Sequence, residues 1–175
     1  MNRQNNLKLT TLTAMLAALV VVTTAYIKIP APLGYTHIGD SMVYLAAALL
    51  PGPYGFLAAS VGGALADLLA GYPQWALPTA IIKALNVLPF FLVRLAIKKA
   101  DRFDRIINLP NLTMLVPAAL VTLSGYFVAN TLLYDVSAAI VELLPNLIQA
   151  TASSIVFVVT GISLDAIKFK SRILT

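Results

Sequence analysis

Six apolar segments, separated by short breaks that are polar or rich in proline and glycine, set the pattern of the chain. The segments cover residues 9–29, 40–51, 54–70, 75–97, 111–134 and 140–166. A helix that crosses a membrane needs roughly 20 predominantly apolar residues, and Pro and Gly tend to end helices. The pattern therefore predicts an all-α integral membrane protein with six transmembrane helices, in one transmembrane domain over residues 1–175. The second segment is short for a span, so either neighbouring helices shield it or its boundary lies elsewhere.

The composition agrees with a membrane environment. Hydrophobic residues make up 59% of the 175 residues and charged residues 11%, with a mean hydropathy of +0.87. A soluble domain carries about 25% charged residues to face water, so lipid must be part of the solvent of this chain. The absence of cysteine and the single histidine exclude disulfides, thiolate chemistry and a cysteine- or histidine-based metal cluster. We therefore expect no metal site.

The basic residues predict the orientation of the helices. All of the 12 Lys and Arg residues except Lys28 and Lys83 lie in three short segments, 3–8, 94–105 and 168–172. Cytoplasmic loops collect Lys and Arg, so all three segments, and with them both termini, should face the cytoplasm. The first apolar segment is longer than the roughly 7–15 residues of a signal-peptide core, and we expect it to be retained as a helix.

Polar side chains interrupt three of the predicted helices at a common depth, near the extracellular side. An ionisable group inside a span is costly, which makes Lys83 the first candidate for a functional role. Each helix carries a polar stripe at helical spacing: Thr79, Lys83 and Asn86; Tyr126, Asn130 and Tyr134; and Asn146, Gln149 and Ser153. Such stripes either join helices by hydrogen bonds or line a ligand pocket, and three stripes at one level favour the pocket. Asp67 could pair with Lys83 and reduce the cost of both charges.

Two predicted outer loops could close over this level. The first carries His37 and Asp40, and the second carries Tyr72, Gln74 and Trp75. Aromatic rings and amides at one pocket would suit a flat heteroaromatic ligand. The alternatives are an exposed loop in which Asp40 caps the second helix, and an interfacial belt formed by the Tyr and Trp side chains.

No catalytic arrangement is visible in the sequence. It lacks a Ser-His-Asp order, paired carboxylates at helical spacing, an HExxH motif and a GxxxxGK[ST] nucleotide loop. We therefore expect neither enzyme activity nor a cofactor, and any ATP-driven step would need a partner chain. Orientation in the membrane explains the basic segments, so they imply no nucleic acid.

Several motifs together resemble a known family. The first helix carries Ala14-x-x-x-Ala18, whose small side chains let another helix approach closely. The chain also contains HIGD at 37–40, LPGPYG at 50–55, GGALAD at 62–67 and TAIIK at 79–83. With its length and six predicted helices, it resembles the substrate-binding S components of energy-coupling factor (ECF) vitamin transporters. The run from 37 to 83 is most similar to the branch of hydroxymethylpyrimidine- and pyridoxine-type S components.

The resemblance implies a function, partners and a location. An S component captures a vitamin from outside the bacterial plasma membrane. It associates through the alanine motif, here Ala14 and Ala18, with a transmembrane coupling subunit (EcfT-type) and works with two cytoplasmic ATPase subunits (EcfA-type). Outer loops and helices four to six would bind the substrate, through His37, Asp40, Tyr72, Gln74, Trp75, Lys83, Asn86, Tyr126, Asn130, Asn146 and Gln149.

The expected substrate is a water-soluble vitamin or precursor, such as hydroxymethylpyrimidine or pyridoxine. Riboflavin and a queuosine precursor, which other ECF transporters carry, stay open. The alternative is a self-sufficient secondary transporter of a small heteroaromatic metabolite. Such a carrier would want a repeated half and coupling-ion carboxylates at mid-membrane, for which Asp67 is the one candidate in the sequence.

Overall fold

The computed structural model describes residues 3–32, 34–97 and 100–174, and this part of the chain is mostly helical. Leu33 of the first predicted break, and Lys98 and Lys99 of the predicted cytoplasmic segment, lie outside the described residues. The helices are α1 (Arg3–Ala25), α2 (Asp40–Leu49), α3 (Pro53–Ala70), α4 (Ala76–Ala96), α5 (Leu109–Thr113), α6 (Leu115–Leu133), α7 (Val136–Val141), α8 (Leu143–Ala166) and α9 (Phe169–Leu174). Two strands, β1 (Lys28–Ala31) and β2 (Gly34–His37), and two 3₁₀ turns, Pro73–Trp75 and Ala100–Phe103, complete the described elements.

Five helical segments of the described chain are long and apolar enough to cross a membrane, which makes this a multi-pass membrane protein. They are Asn5–Ala25, Pro53–Ala70, Pro73–Ala96, Leu109–Leu133 and Val136–Ala166. Large apolar side chains on these segments are exposed, as expected of a surface that contacts lipid rather than water. Five of the six predicted helices therefore have the length that the sequence pattern requires.

The first predicted helix is wrong at its C-terminal end. Helix α1 stops at Ala25, and β1 then pairs with β2 in an antiparallel hairpin, with Lys28 opposite His37 and Ala31 opposite Gly34. Pro30 lacks the backbone N–H that a continuing helix needs, but a two-stranded ribbon tolerates a proline on its free edge. The fold is mostly helical, as predicted, and the described residues add one small sheet that the sequence did not predict. The end of the molecule that carries it is called the hairpin end below.

Helix α2 is the short predicted helix, and all ten of its residues are buried by the rest of the protein. At a rise of 1.5 Å per residue it is about 15 Å long, half of the hydrocarbon core of a bilayer. Its aromatic core contacts tie it to its neighbours, since the Tyr44 ring lies 5.9 Å from Phe90 and 6.1 Å from Phe157. Shielding by neighbouring helices, one of the two explanations for its length, accounts for this segment.

The C-terminal carbonyls of α2 end inside the protein and need donors there, because no water or further helical turn is available to them. Arg94 donates to Ala48 O at 2.8 Å and to Leu50 O at 3.1 Å, and Lys170 Nζ donates to Ala48 O at 3.1 Å. Burial and the neighbouring Arg94 charge lower the pKa of Lys170 to about 8. The sequence assigned both cations to orientation alone, but they also cap α2.

Helix α3 approaches both α1 and α4 closely through two consecutive glycines. A Cβ atom on Gly62 would lie 2.8 Å from Ala17 O and from Val20 Cβ, and one on Gly63 would lie 2.9 Å from Lys83 Cγ. Glycine at these positions lets the helix axes come together where side chains would hold them apart. This contact holds Lys83 against the centre of the bundle.

Candidate substrate-binding site

A cavity lies at the hairpin end, between β2, the α3–α4 connection and the facing sides of α6 and α8. Its volume is about 60 Å³, which is room for a few water molecules. Seven of the predicted site residues line it: His37, Tyr72, Trp75, Tyr126, Asn130, Asn146 and Gln149. The polar faces of α4, α6 and α8 therefore meet at one level, as their spacing in the sequence indicates.

Four predicted site residues do not line the cavity. Lys83 and Asn86 lie deeper along α4 than Thr79, which does line it, and Asp40 is buried at the start of α2. Gln74 is exposed on the 3₁₀ turn. The structure therefore separates a cavity from a buried polar layer beneath it.

The centre of that layer is an ion pair between Lys83 and Asp40, both of which are fully buried. Gln149 Nε2 donates to the second oxygen of Asp40 at 3.1 Å, which links α8 to the pair and the pair to the cavity. The prediction that Asp67 neutralises Lys83 is wrong, because Asp40 occupies that position. The alternative that Asp40 caps α2 is also wrong, since Gly39 is the cap residue and the carboxylate faces α4.

Two further hydrogen bonds join α4 to α6, one in this layer and one at the cavity wall. Asn86 Nδ2 donates to Thr122 Oγ1 at 3.0 Å, and the hydroxyls of Thr79 and Tyr126 are 3.4 Å apart. Asn86 therefore joins two helices by a hydrogen bond, which was the alternative to a role in a ligand pocket.

Two pairs of aromatic rings line the cavity. Trp75 and Tyr126 have ring centroids 5.8 Å apart, and Tyr35 and Tyr72 have centroids 5.3 Å apart. Trp75 also lies 6.2 Å from the half-exposed Tyr134. A flat ligand ring could stack against these side chains at distances usual for aromatic pairs.

His37 is a neutral donor at the cavity wall. Its Nδ1 accepts the backbone N–H of Gly39 at 3.0 Å, which places the remaining imidazole proton on Nε2. Burial and the nearby charge of Lys83 lower the pKa of His37 to about 3. The ring is therefore uncharged at neutral pH.

Five lining residues were not predicted as site residues: Gly34, Tyr35, Asp67, Thr79 and Glu142. Tyr35 donates from its hydroxyl to Asp67 Oδ1 at 2.9 Å, and burial together with this carboxylate raises the pKa of Tyr35, so the phenol keeps its proton. Alternation along a strand would have placed Tyr35 on the same face as His37, but the hairpin itself was not predicted.

No group of three or more His, Cys, Asp or Glu side chains that could hold a metal ion is found among the described residues. The side chains that line the cavity are mainly aromatic rings, amides and carboxylates. Those groups bind organic ligands through stacking and hydrogen bonds.

A family model described as "ECF-type riboflavin transporter, S component" matches residues 4–165, most of the chain. The chain belongs to the S-component family of ECF transporters. A protein of Pyrococcus woesei described as "Uncharacterized protein in gap 3'region" is 34% identical over 139 residues, which cover 78% of this chain and 88% of that protein. The resemblance to ECF S components is confirmed, whereas the hydroxymethylpyrimidine and pyridoxine branch stays a prediction.

Family membership makes this S component a substrate-binding membrane subunit rather than a member of an enzyme family. S components generally work with coupling and ATPase subunits. The alanine motif is available for such a contact, because Ala14 and Ala18 both lie on an exposed face of α1. The opposite face of α1 buries Leu16 and Val20 in the core.

Proposed function

We propose that this S component captures a flat, water-soluble heteroaromatic vitamin or precursor from outside the cell for ATP-driven uptake. The observation that carries the proposal is the cavity at the hairpin end, whose wall combines two pairs of aromatic rings with hydrogen-bonding side chains. Ligand pockets usually measure several hundred Å³, so Tyr35, Tyr72 and Trp75 would have to move apart when a vitamin ring enters. The protein itself would need no cofactor.

Two kinds of ring are candidates. The sequence resemblance over 37–83 supports a pyrimidine or pyridine such as hydroxymethylpyrimidine or pyridoxine, and the description of the matching family supports riboflavin. The smaller rings require less opening of the cavity, which favours them in this structure.

Ligand carried through purification would identify the substrate. The S component is purified from its native membrane, the bound material is released by heat and its mass is determined. A pyrimidine, pyridine or flavin released in about equimolar amount supports the proposal. A non-aromatic metabolite in that amount, or no binding of any such ring to the purified protein, would contradict it.

We also propose a coupling subunit of the EcfT type and two ATPase subunits of the EcfA type as partners, in a bacterial plasma membrane. The missing nucleotide loop and the exposed alanine face of α1 support this assembly. Co-purification separates it from the alternative, a self-sufficient secondary transporter. ATPase subunits should accompany the tagged S component, whereas a secondary carrier would drive uptake into vesicles that contain this chain alone.

The basic segments support an orientation with both termini in the cytoplasm and the hairpin end outside. Since the chain has no native cysteine, single cysteines report accessibility cleanly. We expect an impermeant thiol reagent added to intact cells to label Tyr26→Cys, which is exposed beside the hairpin, and not Arg105→Cys at the other end. The reverse pattern would invert the topology.

A further inference from the structure

Two buried oxygen atoms at the cavity have no donor within hydrogen-bonding distance among the residues that the structure describes. They are Asp67 Oδ2 and Asn130 Oδ1, on side chains that are 6% and 2% exposed and that both line the cavity. Buried acceptors normally have donors, since leaving one unpaired is costly. These two atoms therefore point to donors on a bound molecule.

The hydrogen bonds that each side chain already makes determine which of its oxygen atoms lacks a donor. Tyr35 donates its hydroxyl proton to Asp67 Oδ1, so Oδ2 is the oxygen without a partner. Asn130 Nδ2 donates to Tyr126 O at 2.9 Å, and rotating the amide would exchange that hydrogen bond for a contact between two oxygens. Both residues consequently offer acceptors rather than donors to a ligand.

The charged groups around the cavity also favour a ligand that donates hydrogen bonds and carries no negative charge. Asp67 and Glu142 contribute carboxylates to its wall, and no Lys or Arg is among its described lining residues. Lys83 is paired with Asp40 below the cavity, and the imidazole of His37 is uncharged. Lys28 lies 4.7 Å from the centroid of the Tyr35 ring, but its own side chain is exposed to solvent, which weakens its effect on the interior.

We infer that the cavity selects the uncharged or cationic form of its heteroaromatic ligand, with N–H or O–H donors directed at Asp67 and Asn130, and rejects the phosphorylated form. A phosphate would bring negative charge and further acceptors next to two carboxylates and an amide oxygen. The inference rests on the proposed function and deepens it. The edge of the ligand ring that carries an amino group, a ring N–H or hydroxyls would face Asp67 and Asn130.

Matched ligand pairs test this selection on the whole protein in nanodiscs by calorimetric titration. The probes are hydroxymethylpyrimidine, pyridoxine and riboflavin, each with its monophosphate. We expect at least one unphosphorylated probe to bind and its monophosphate to bind at least about 100-fold more weakly, as like charges in a buried site require. A monophosphate that binds as well as its parent would overturn the inference while leaving the proposed function intact. If none of the six probes binds, the proposed function fails, and the inference fails with it.

Substitutions then assign the selection to the two residues. Asp67→Asn removes one negative charge and should reduce the preference for the unphosphorylated probe about tenfold. Asn130→Leu should weaken binding of the unphosphorylated probe roughly tenfold or more. The monophosphate should still bind more weakly than its parent, because both carboxylates remain. Asp104→Asn, an exposed carboxylate at the other end of the molecule, is the matched control and should change neither value.

A thermal melt of each variant identifies any that fails to fold. In that case Glu142→Gln replaces Asp67→Asn as the charge-removing variant. Unchanged selectivity in a folded Asp67→Asn and a folded Glu142→Gln protein would remove the carboxylates from the explanation.

Discussion

Lys83 and Asp40 form an ion pair that ties the middle of α4 to the first residue of α2, and neither side chain is exposed. Gln149 adds α8 to the same contact through its bond to Asp40. Taking two charges out of water is costly, and their attraction offsets this cost only while both partners are present. Removing one partner should therefore destabilise the protein much more than removing both.

Lys83→Met should lower the free energy of unfolding by roughly 3–5 kcal/mol, because it leaves the Asp40 carboxylate buried without its partner. Adding Asp40→Asn should restore most of the loss, since the second substitution removes the unpaired charge. Thermal melts in one detergent measure both effects. The matched control adds Asp67→Asn to Lys83→Met instead; equal rescue by this substitution would mean that Lys83 is paired with Asp67 after all.

His37 is the one histidine of the chain and predicts a pH dependence of stability. Its pKa of about 3 in the folded protein lies below the ordinary value of 6.5. Below pH 6.5 the unfolded chain therefore binds a proton that the folded chain does not, and stability falls as the pH falls. We expect a loss of about 2 kcal/mol between pH 7 and pH 5.

Melts of the wild type and of His37→Asn across this range measure that loss. The asparagine oxygen can still accept the Gly39 N–H, but it does not titrate. The variant should consequently lose much less stability than the wild type between pH 7 and pH 5. Parallel losses in the two proteins would show that His37 is not the group responsible.

At the scale of elements, the central feature is a helix too short to cross the membrane that is enclosed by helices long enough to do so. Helix α2 is possible because Arg94 and Lys170 satisfy its last carbonyls and because α3 closes against its neighbours at Gly62 and Gly63. The polar groups that lipid could not satisfy are thus kept inside the protein. The cavity lies where the hairpin and the α3–α4 connection meet α4, α6 and α8.

Gly62→Ala tests the close approach of α1 and α3. The added Cβ would lie 2.8 Å from Ala17 O and Val20 Cβ, so the two helices must separate. We expect a loss of about 1–3 kcal/mol in the free energy of unfolding, as for other overpacked cores. Gly34→Ala is the control, because its Cβ would meet nothing within 4 Å, and it should stay within about 0.5 kcal/mol of wild type.

At the scale of the whole molecule, the outer surface of the described helices divides into two kinds. Most of it exposes large apolar residues, such as Val128 at 56%, that suit contact with lipid. One face of α1 instead exposes the small side chains of Ala14 and Ala18. In a bilayer, close packing of small residues is a main source of helix association, so this face is the one that we propose as the contact for a coupling subunit.

Ala14→Trp and Ala18→Trp should each abolish uptake while leaving ligand affinity of the isolated S component unchanged. An indole on this face would hold the partner helix away, but the substituted positions are remote from the cavity. Val128→Trp, which adds the same ring to the lipid-facing side of α6, is the control and should transport normally. Uptake at the wild-type rate by either alanine variant, with the ATPase subunits still recovered, would exclude this face from coupling.

The sequence alone was sufficient where a property depends on residues close together in the chain. Periodic apolar runs and prolines placed both ends of two helices to within about one residue, 54–70 against Pro53–Ala70 and 75–97 against Ala76–Ala96. The same 3.6-residue period placed Asn130 and Gln149 on faces that do line one cavity. Motifs along the chain were also sufficient to identify the ECF S-component family.

Only the tertiary structure decided which of those faces meet. Asp40 and Lys83 are 43 residues apart and Asp40 and Gln149 are 109 apart, so their contacts depend on how whole helices pack. The sequence suggested Asp67 as the partner of Lys83, because nothing local showed that Asp40 would lie beside it. Nor did anything local indicate that Tyr35 would donate to one oxygen of Asp67 and leave the other without a donor among the described residues. A stripe of polar residues predicts that a helix face is buried against something polar, whereas the identity of each hydrogen-bond partner is set by distances that exist only in the folded protein.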